Sequence, residues 1–369
     1  MSTYITLDEL NNQEAEKFIP LLIIYVIYMV IGTLGNGTVL LVHPKLKHSD
    51  GRHFIPYLAA VNLTSSLIGS CFSILLIMFR VNFYSQSRCR FGWYIVTLTQ
   101  TFASFILVVI ASDHYRRICK PHSKQMNKRV RICVLLSTFF LAAMLAIPLP
   151  FQYKVAENYR SEYNLTTYSC HRSASSDPTI DSLYAGVLML AGCCSTVAIF
   201  VLYCKIGQTL RRFVERGEQN EISMISLDSK VKEGVDNKGF EEHSSTTNTT
   251  VPSSGAQKKR TEKEARKKQV NHRHHVMTHF VKIFIMISLN YLLTLIPSAV
   301  IVVHQSISIT FWNSLNDAQE VGLTFFSTLY IAHNIINPFI FAFMDHEFRA
   351  KLRYIITSVK CRQWFCSCK

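Results

Sequence analysis

Seven stretches of this chain, each about 20 residues or longer, are too apolar to face water. They lie at about Ile19–Val42, Phe54–Phe79, Phe91–Ser112, Ile132–Phe151, Leu183–Ile206, Phe280–Val303 and Gly322–Met344. A backbone that crosses hydrocarbon must satisfy its own N–H and C=O groups, which makes helices of runs this long. The fold class expected is therefore all-α, a seven-transmembrane helix bundle. The chain is 49% hydrophobic, with a mean hydropathy of +0.18, yet it carries a net charge of +15. A soluble basic domain does not block its apolar residues into such runs.

The distribution of Lys and Arg orients the bundle. Lys45, Lys47 and Arg52 follow the first run, Arg116, Arg117, Lys120, Lys124, Lys128, Arg129 and Arg131 the third, a heavily basic stretch the fifth, and Arg349, Lys351, Arg353, Lys360, Arg362 and Lys369 the seventh. The other side has only Lys17, Arg80, Arg88, Arg90, Lys154, Arg160 and Arg172. The positive-inside rule puts the N-terminus outside and the C-terminus in the cytoplasm of a plasma-membrane protein. The net charge then reports topology and contact with anionic membrane lipids, and no nucleic acid is expected as a partner. Residues 1–17 are polar and mildly acidic and lead straight into a run too long for a signal-peptide core, so the first span is expected to be its own anchor.

The organisation expected is an extracellular N-terminus (1–17), spans one to five with their loops (18–214), a disordered basic third cytoplasmic loop (215–269), spans six and seven (270–344), and a tail beginning with a short amphipathic eighth helix (345–369). The loop reading rests on a segment poor in aromatics and rich in Ser, Thr, Asn, Glu and Lys. The eighth helix rests on Phe348, Leu352, Ile355 and Ile356 falling on one face and basic residues on another. Cys361, Cys366 and Cys368 follow it and are candidates for palmitoylation.

Six further cysteines, Cys71, Cys119, Cys133, Cys193, Cys194 and Cys204, fall in spans or at their inner ends. Cys89 and Cys170 are left on the oxidising face, where a bridge would tie the second outer loop over the bundle mouth; two free thiols are the alternative. Of the Asn-x-Ser/Thr sequons, only Asn164-Leu165-Thr166 faces outward, which makes Asn164 the candidate glycan site.

Ordered motifs carry a resemblance over nearly the whole chain. They are Gly35-Asn36 with Val39, Asn62-Leu63, Cys89, Asp113-His114-Tyr115-Arg116-Arg117-Ile118-Cys119-Lys120-Pro121, Tyr203-Cys204-Lys205-Ile206, Pro297, Asn337-Pro338 and Phe348. In this order they resemble the rhodopsin-like class of G-protein-coupled receptors. The resemblance implies a G-protein coupling and activation switch at Asp113, His114, Tyr115, Tyr203, Asn337, Pro338 and Phe341, and a helix-six kink at Leu295 and Pro297. It also implies an extracellular ligand and a heterotrimeric G protein as partners, with arrestin and receptor kinases besides. Proline removes a backbone donor, so Asn337-Pro338 is expected to bend the seventh span, the Asn bonding freed carbonyls or a buried water.

Departures from the pattern matter as much. The family's third-helix Arg is His114, which is only partly charged near neutral pH and lacks a guanidinium fork. The sixth-helix Trp is Leu295, with Tyr291 four residues earlier, and the closing seventh-helix Tyr is Phe341. Counting five from Asn62 places Leu67 where a sodium-binding Asp is usual, and Ala103 replaces its Ser partner, so no sodium site is expected. Val96 stands where an amine receptor has Asp, and the seventh run has no Lys for retinal. Arg80, Val96, Gln100, Thr101 and His304 are candidate pocket residues for a peptide, the first reading, or for a lipid or small anionic metabolite, the second. His114, Leu295 and Phe341 also motivate a non-signalling decoy or scaffold. No metal cluster or nucleophile–base constellation supports an enzyme, and neither metal nor cofactor is expected.

Overall fold

Each apolar run folds as helix, and the polar residues at its ends decide where that helix stops. The computed structural model describes residues 5–46, 52–123, 125–172, 178–236, 278–279, 281–304 and 311–367. Its first helix, α1 (Leu7–Glu16), lies in the polar N-terminus, where the sequence reading placed none. A capping box starts it: Thr6 Oγ1 accepts from the Glu9 amide at 3.3 Å, and the Thr6 amide donates to Glu9 at 2.8 Å. These bonds from the Thr6 backbone and hydroxyl hold the Glu9 carboxyl below its ordinary range.

The first span is α2 (Ile19–Val42). The second is α3 (Ile55–Thr64), a π-turn (Ser65–Gly69) and α4 (Ser70–Met78). Asn11 of α1 caps its outer end, donating to the Met78 carbonyl at 2.8 Å and accepting from the Val81 amide at 3.1 Å.

The third span, α5 (Gln86–Cys119), has 34 residues, about 51 Å of helix. That is well beyond the apolar run Phe91–Ser112, because polar residues at both ends extend the helix past the hydrocarbon. The fourth is α6 (Lys128–Ala146), followed beyond Pro148 by the single turn α7 (Leu149–Gln152).

The connection between the fourth and fifth spans, expected as the second outer loop, is an antiparallel hairpin of β1 (Tyr153–Arg160) and β2 (Leu165–Arg172), with Tyr153 opposite Arg172 and Arg160 opposite Leu165. Asn164 takes the left-handed φ of 54° in its turn, a conformation Asn tolerates. β2 also docks on the α4–α5 connection, since the Tyr168 amide donates to the Val81 carbonyl and the Phe83 amide to the Tyr168 carbonyl, at 2.7 and 2.8 Å.

The fifth span lies in α8 (Pro178–Asp236). The backbone over 215–236, expected as the start of a disordered loop, is therefore a helical continuation; the rest of that expected loop, 237–269, lies outside the described residues. The sixth span is α9 (Val281–His304). α10 (Asp317–Ser327) and α11 (Tyr330–Met344) form the seventh, across a 48° bend.

That bend corrects the expected joint. It sits between Ser327 and Tyr330, and α11 continues through Pro338. The Thr328 hydroxyl bonds back to the Thr324 and Phe325 carbonyls at 3.0 Å, and the Tyr25 hydroxyl meets it at 2.8 Å. Such back-bonding competes with the helical ladder and bends it.

α12 (His346–Ser367) is the eighth helix. Phe348 is buried, and Leu352 and Ile355 pack on the main core, whereas Ile356, expected on that face, is exposed. Its start is clamped by Arg52, whose side chain is 5% exposed, donates to Asp345 at 2.9 Å and also pairs with Glu347. The main core fills the half of the bundle nearest α12 with Leu58, Ile106, Ile110, Ile199, Ile287 and their neighbours.

Candidate functional site

Of the residues expected to form the switch, His114 and Phe341 are brought together by the third, sixth and seventh spans. Asp113 does not hold residue 114. Its partner is Arg117, one helical turn on, whose Nε donates to Oδ2 at 2.7 Å, with both side chains under a tenth exposed. A helix turns about 100° per residue, so His114 points elsewhere, into the bundle. Its ring stands edge-on to Phe284 at 5.0 Å, and Phe284 stands edge-on to Phe341 at 6.3 Å. His114, Phe284 and Phe341 thus join the three spans as a run of rings. Sequence reasoning named His114 and Phe341 but missed both Phe284 and Arg117. The acid–base spacing Asp113…Arg117, four residues apart on a helix, was the signal available for the latter.

Tyr115 packs with Ile118, Ile206 and Val281, and the Lys120 and Lys205 ammonium groups each lie 6.0 Å from its ring. Tyr203 packs between this cluster and the main core. His279, just before α9, has Nε2 2.8 Å from the Met344 carbonyl, a further tie between sixth and seventh spans.

Asn337 and Pro338 lie inside α11, buried against α2. Proline has no N–H for the carbonyl four residues back, which is that of Asn334. Asn36 fills the vacancy: its Nδ2 donates to Asn334 O and to Gly32 O, both at 2.9 Å. The freed carbonyl is therefore served from the first span and not, as expected, by Asn337. Close approach makes this possible, because a Cβ on Gly35 would sit 2.9 Å from the Pro338 ring.

The π-turn overturns the count from Asn62. It inserts an extra residue per turn, so Leu67 is 44% exposed on the outside while Ser65, Ser66 and Ser70 face inward. Ser65 Oγ accepts from Gln100 at 2.9 Å and from Asn334 at 3.0 Å. Ala103 is buried nearby on α5. Among the described residues no three His, Cys, Asp or Glu side chains form a metal-binding group. Leu295 packs on the main core and Pro297 lies within α9.

The candidate pocket residues are dispersed. Arg80 pairs with Glu320 of α10 and covers the Phe18 ring at 4.1 Å, which makes it a strut between second and seventh spans. Gln100 is turned toward Ser65, His304 stacks on Phe311 at 5.8 Å, Val96 is buried and Thr101 half-buried. Lys17 ties α1 to the same rim. Burial works against its charge, but bonds to Glu14 and Asp317, at 3.0 and 3.2 Å, hold it above the ordinary lysine range.

The mouth itself is aromatic: Trp93 stacks on Tyr153 at 4.4 Å, and Phe72 meets Trp93 edge-on at 5.7 Å. Cys89 and Cys170 form a disulfide that fastens β2 to the start of α5. Asn164 is exposed and accepts from the Tyr159 hydroxyl at 2.5 Å. Cys361 and Cys366 lie in the backbone of α12, and Cys368 lies outside the described residues.

Residues 35–341 match the model of the 7 transmembrane receptor (rhodopsin family). This chain belongs to that family. It is similar to the human protein Olfactory receptor 2AT4, with 27% identity over 161 residues, 42% of this chain, and the match spans about half of that relative's length (48%). Squid rhodopsin has a similar crystal structure, with a TM-score of 0.65 and 19% identity over 94% of this chain and 87% of that one, a likeness of fold. The protein is thus a multi-pass membrane receptor of the rhodopsin family, built as a seven-helix bundle with a disulfide-fastened hairpin between the fourth and fifth spans.

Proposed function

We propose that this receptor sits in the plasma membrane with its N-terminus outside, takes an extracellular ligand in the outer half of the bundle, and opens its inner face to a heterotrimeric G protein. The ring contacts of His114, Phe284 and Phe341 carry this reading. They join the three inner helix ends by soft apolar contacts beside a charge pair, an arrangement that can separate without leaving a buried charge alone. Arrestin and receptor kinases are proposed as further partners of the same inner face.

A peptide is the favoured ligand, because the hairpin offers the polar exposed edge Glu157, Asn158, Tyr159 and Arg160 above an aromatic mouth. A lipid or small anionic metabolite is the second choice. Asn164, exposed in the hairpin turn, is proposed to carry a glycan, and Cys361, Cys366 and Cys368 to take palmitate beside the amphipathic eighth helix.

A second reading, a decoy or scaffold without efficient coupling, is favoured by one observation: His114 is 1% exposed and is not presented to the inner face. Nucleotide exchange across a panel of G proteins, at matched surface expression, separates the two. Wild type should stimulate at least one G protein, Arg117→Gln should raise its basal rate by freeing Asp113, and His114→Arg should raise coupling by restoring a fixed positive fork. Silence of all three across the panel leaves the decoy.

A further inference from the structure

Midway through the bundle a second polar contact joins the sixth and seventh spans. Asn290 of α9 has two amide hydrogens, and its Nδ2 lies 3.2 Å from the His333 carbonyl and 3.3 Å from His333 Nδ1. His333, on α11, is wholly buried, and the Tyr291 ring stands edge-on to it at 5.2 Å. On the far side of the imidazole, Nε2 lies 3.4 Å from the side-chain amide of Asn337.

A neutral imidazole accepts at one nitrogen and donates from the other. With Nδ1 accepting from Asn290, the proton is on Nε2, and Asn337 must turn its carbonyl oxygen toward it. That oxygen is buried and has no other hydrogen-bond partner among the described residues. One directed chain therefore runs from Asn290 through the ring to Asn337, the residue before Pro338.

We propose that this chain is a latch: His333 positions Asn337 and holds α9 against α11 in the resting receptor, and an outward move of the sixth span must break it. The proposal rests on the signalling reading above, which supplies the move. Both bonds from Asn290 are lost together when the two spans part, and a buried amide left without a partner is costly.

The test uses full-length receptor with Asn290→Leu, His333→Leu, His333→Gln and His333→Asn. The last keeps a polar atom where Nδ1 stood and can still accept from Asn290; the Gln variant keeps one only where Nε2 stood. Two readouts are taken, basal nucleotide exchange at matched surface expression, and amide hydrogen exchange of α9 and α11 in receptor alone. Asn290→Leu, His333→Leu and His333→Gln should each raise both by about fivefold to tenfold, the effect of one or two buried hydrogen bonds, and the Asn290→Leu/His333→Leu double no further. His333→Asn should fall between wild type and these, because it keeps the bond from Asn290 and loses only the one to Asn337. Equal effects of the Asn and Gln variants, or additive Leu variants, would mean that the cluster only fills space, and the latch falls. If no variant, wild type included, drives nucleotide exchange, it is the coupling reading that fails, and the order of amide exchange alone decides the latch.

Discussion

The Asn36 bond to the Asn334 carbonyl exists because Pro338 has no N–H, so the two residues should be energetically coupled although they lie on different spans. Asn36→Ala leaves that buried carbonyl without a donor, at a cost of roughly 1–3 kcal/mol, and the cavity adds on the order of 1 kcal/mol. Pro338→Ala returns an amide to the helix, four residues after Asn334, where it can take the carbonyl itself. In that background Asn36→Ala should lose only the cavity part, so the double-mutant cycle should show a coupling of about 1–2 kcal/mol. The quantity to measure is the unfolding free energy of purified receptor in mixed micelles for wild type, both singles and the double. The same loss from Asn36→Ala in both backgrounds would refute the argument, because Asn36 would then be stabilising something other than the carbonyl that proline frees.

Cys89→Ser and Cys170→Ser should each lower surface expression, consistent with losing a bridge that closes 81 residues of chain and contributes roughly 2–4 kcal/mol; the double should be no worse than either. Arg52→Met strands the buried Asp345 carboxylate, at about 3–5 kcal/mol, and should speed amide exchange over Phe348–Leu352, while adding Asp345→Asn should recover part of the protection. The capping box should make α1 acid-sensitive. Glu9 has a depressed folded-state pKa, so its contribution is complete above the unfolded value of 4.5 and is lost as pH falls through the lower folded value. Amide protection of α1 should be flat from pH 8 to about 5 and drop below that, and Thr6→Ala should remove the pH dependence.

The spans were legible in the sequence because hydrocarbon imposes one condition, apolarity, on every residue that faces it. The disulfide partners followed from topology. Helix ends were less legible: apolarity marks the membrane and not the helix, so α5 overshoots its run at both ends and α1 went unseen although Thr6-x-x-Glu9 spells a capping box. The bend at Thr328 escaped notice because proline is a louder signal than a hydroxyl that bonds back to its own helix. At the inner site, motif position named His114 and Phe341, but which group holds Asp113 is settled by side-chain reach, and Arg117 was passed over. Pocket residues were the least legible, because Arg80 and Gln100 are polar groups that already have structural partners.

The π-turn at Ser65–Gly69 also bears on how this receptor can change length. Removing a residue from an ordinary α-helical span rotates everything beyond the cut by about 100° and carries its buried face toward lipid. In the π-turn a lost residue would be absorbed as the widened turn relaxes to an α-helical one, and Phe72 and Ile77 would keep facing the core. The second span thus carries a built-in tolerance for a one-residue deletion, and related chains lacking that residue could share this bundle without any other rearrangement.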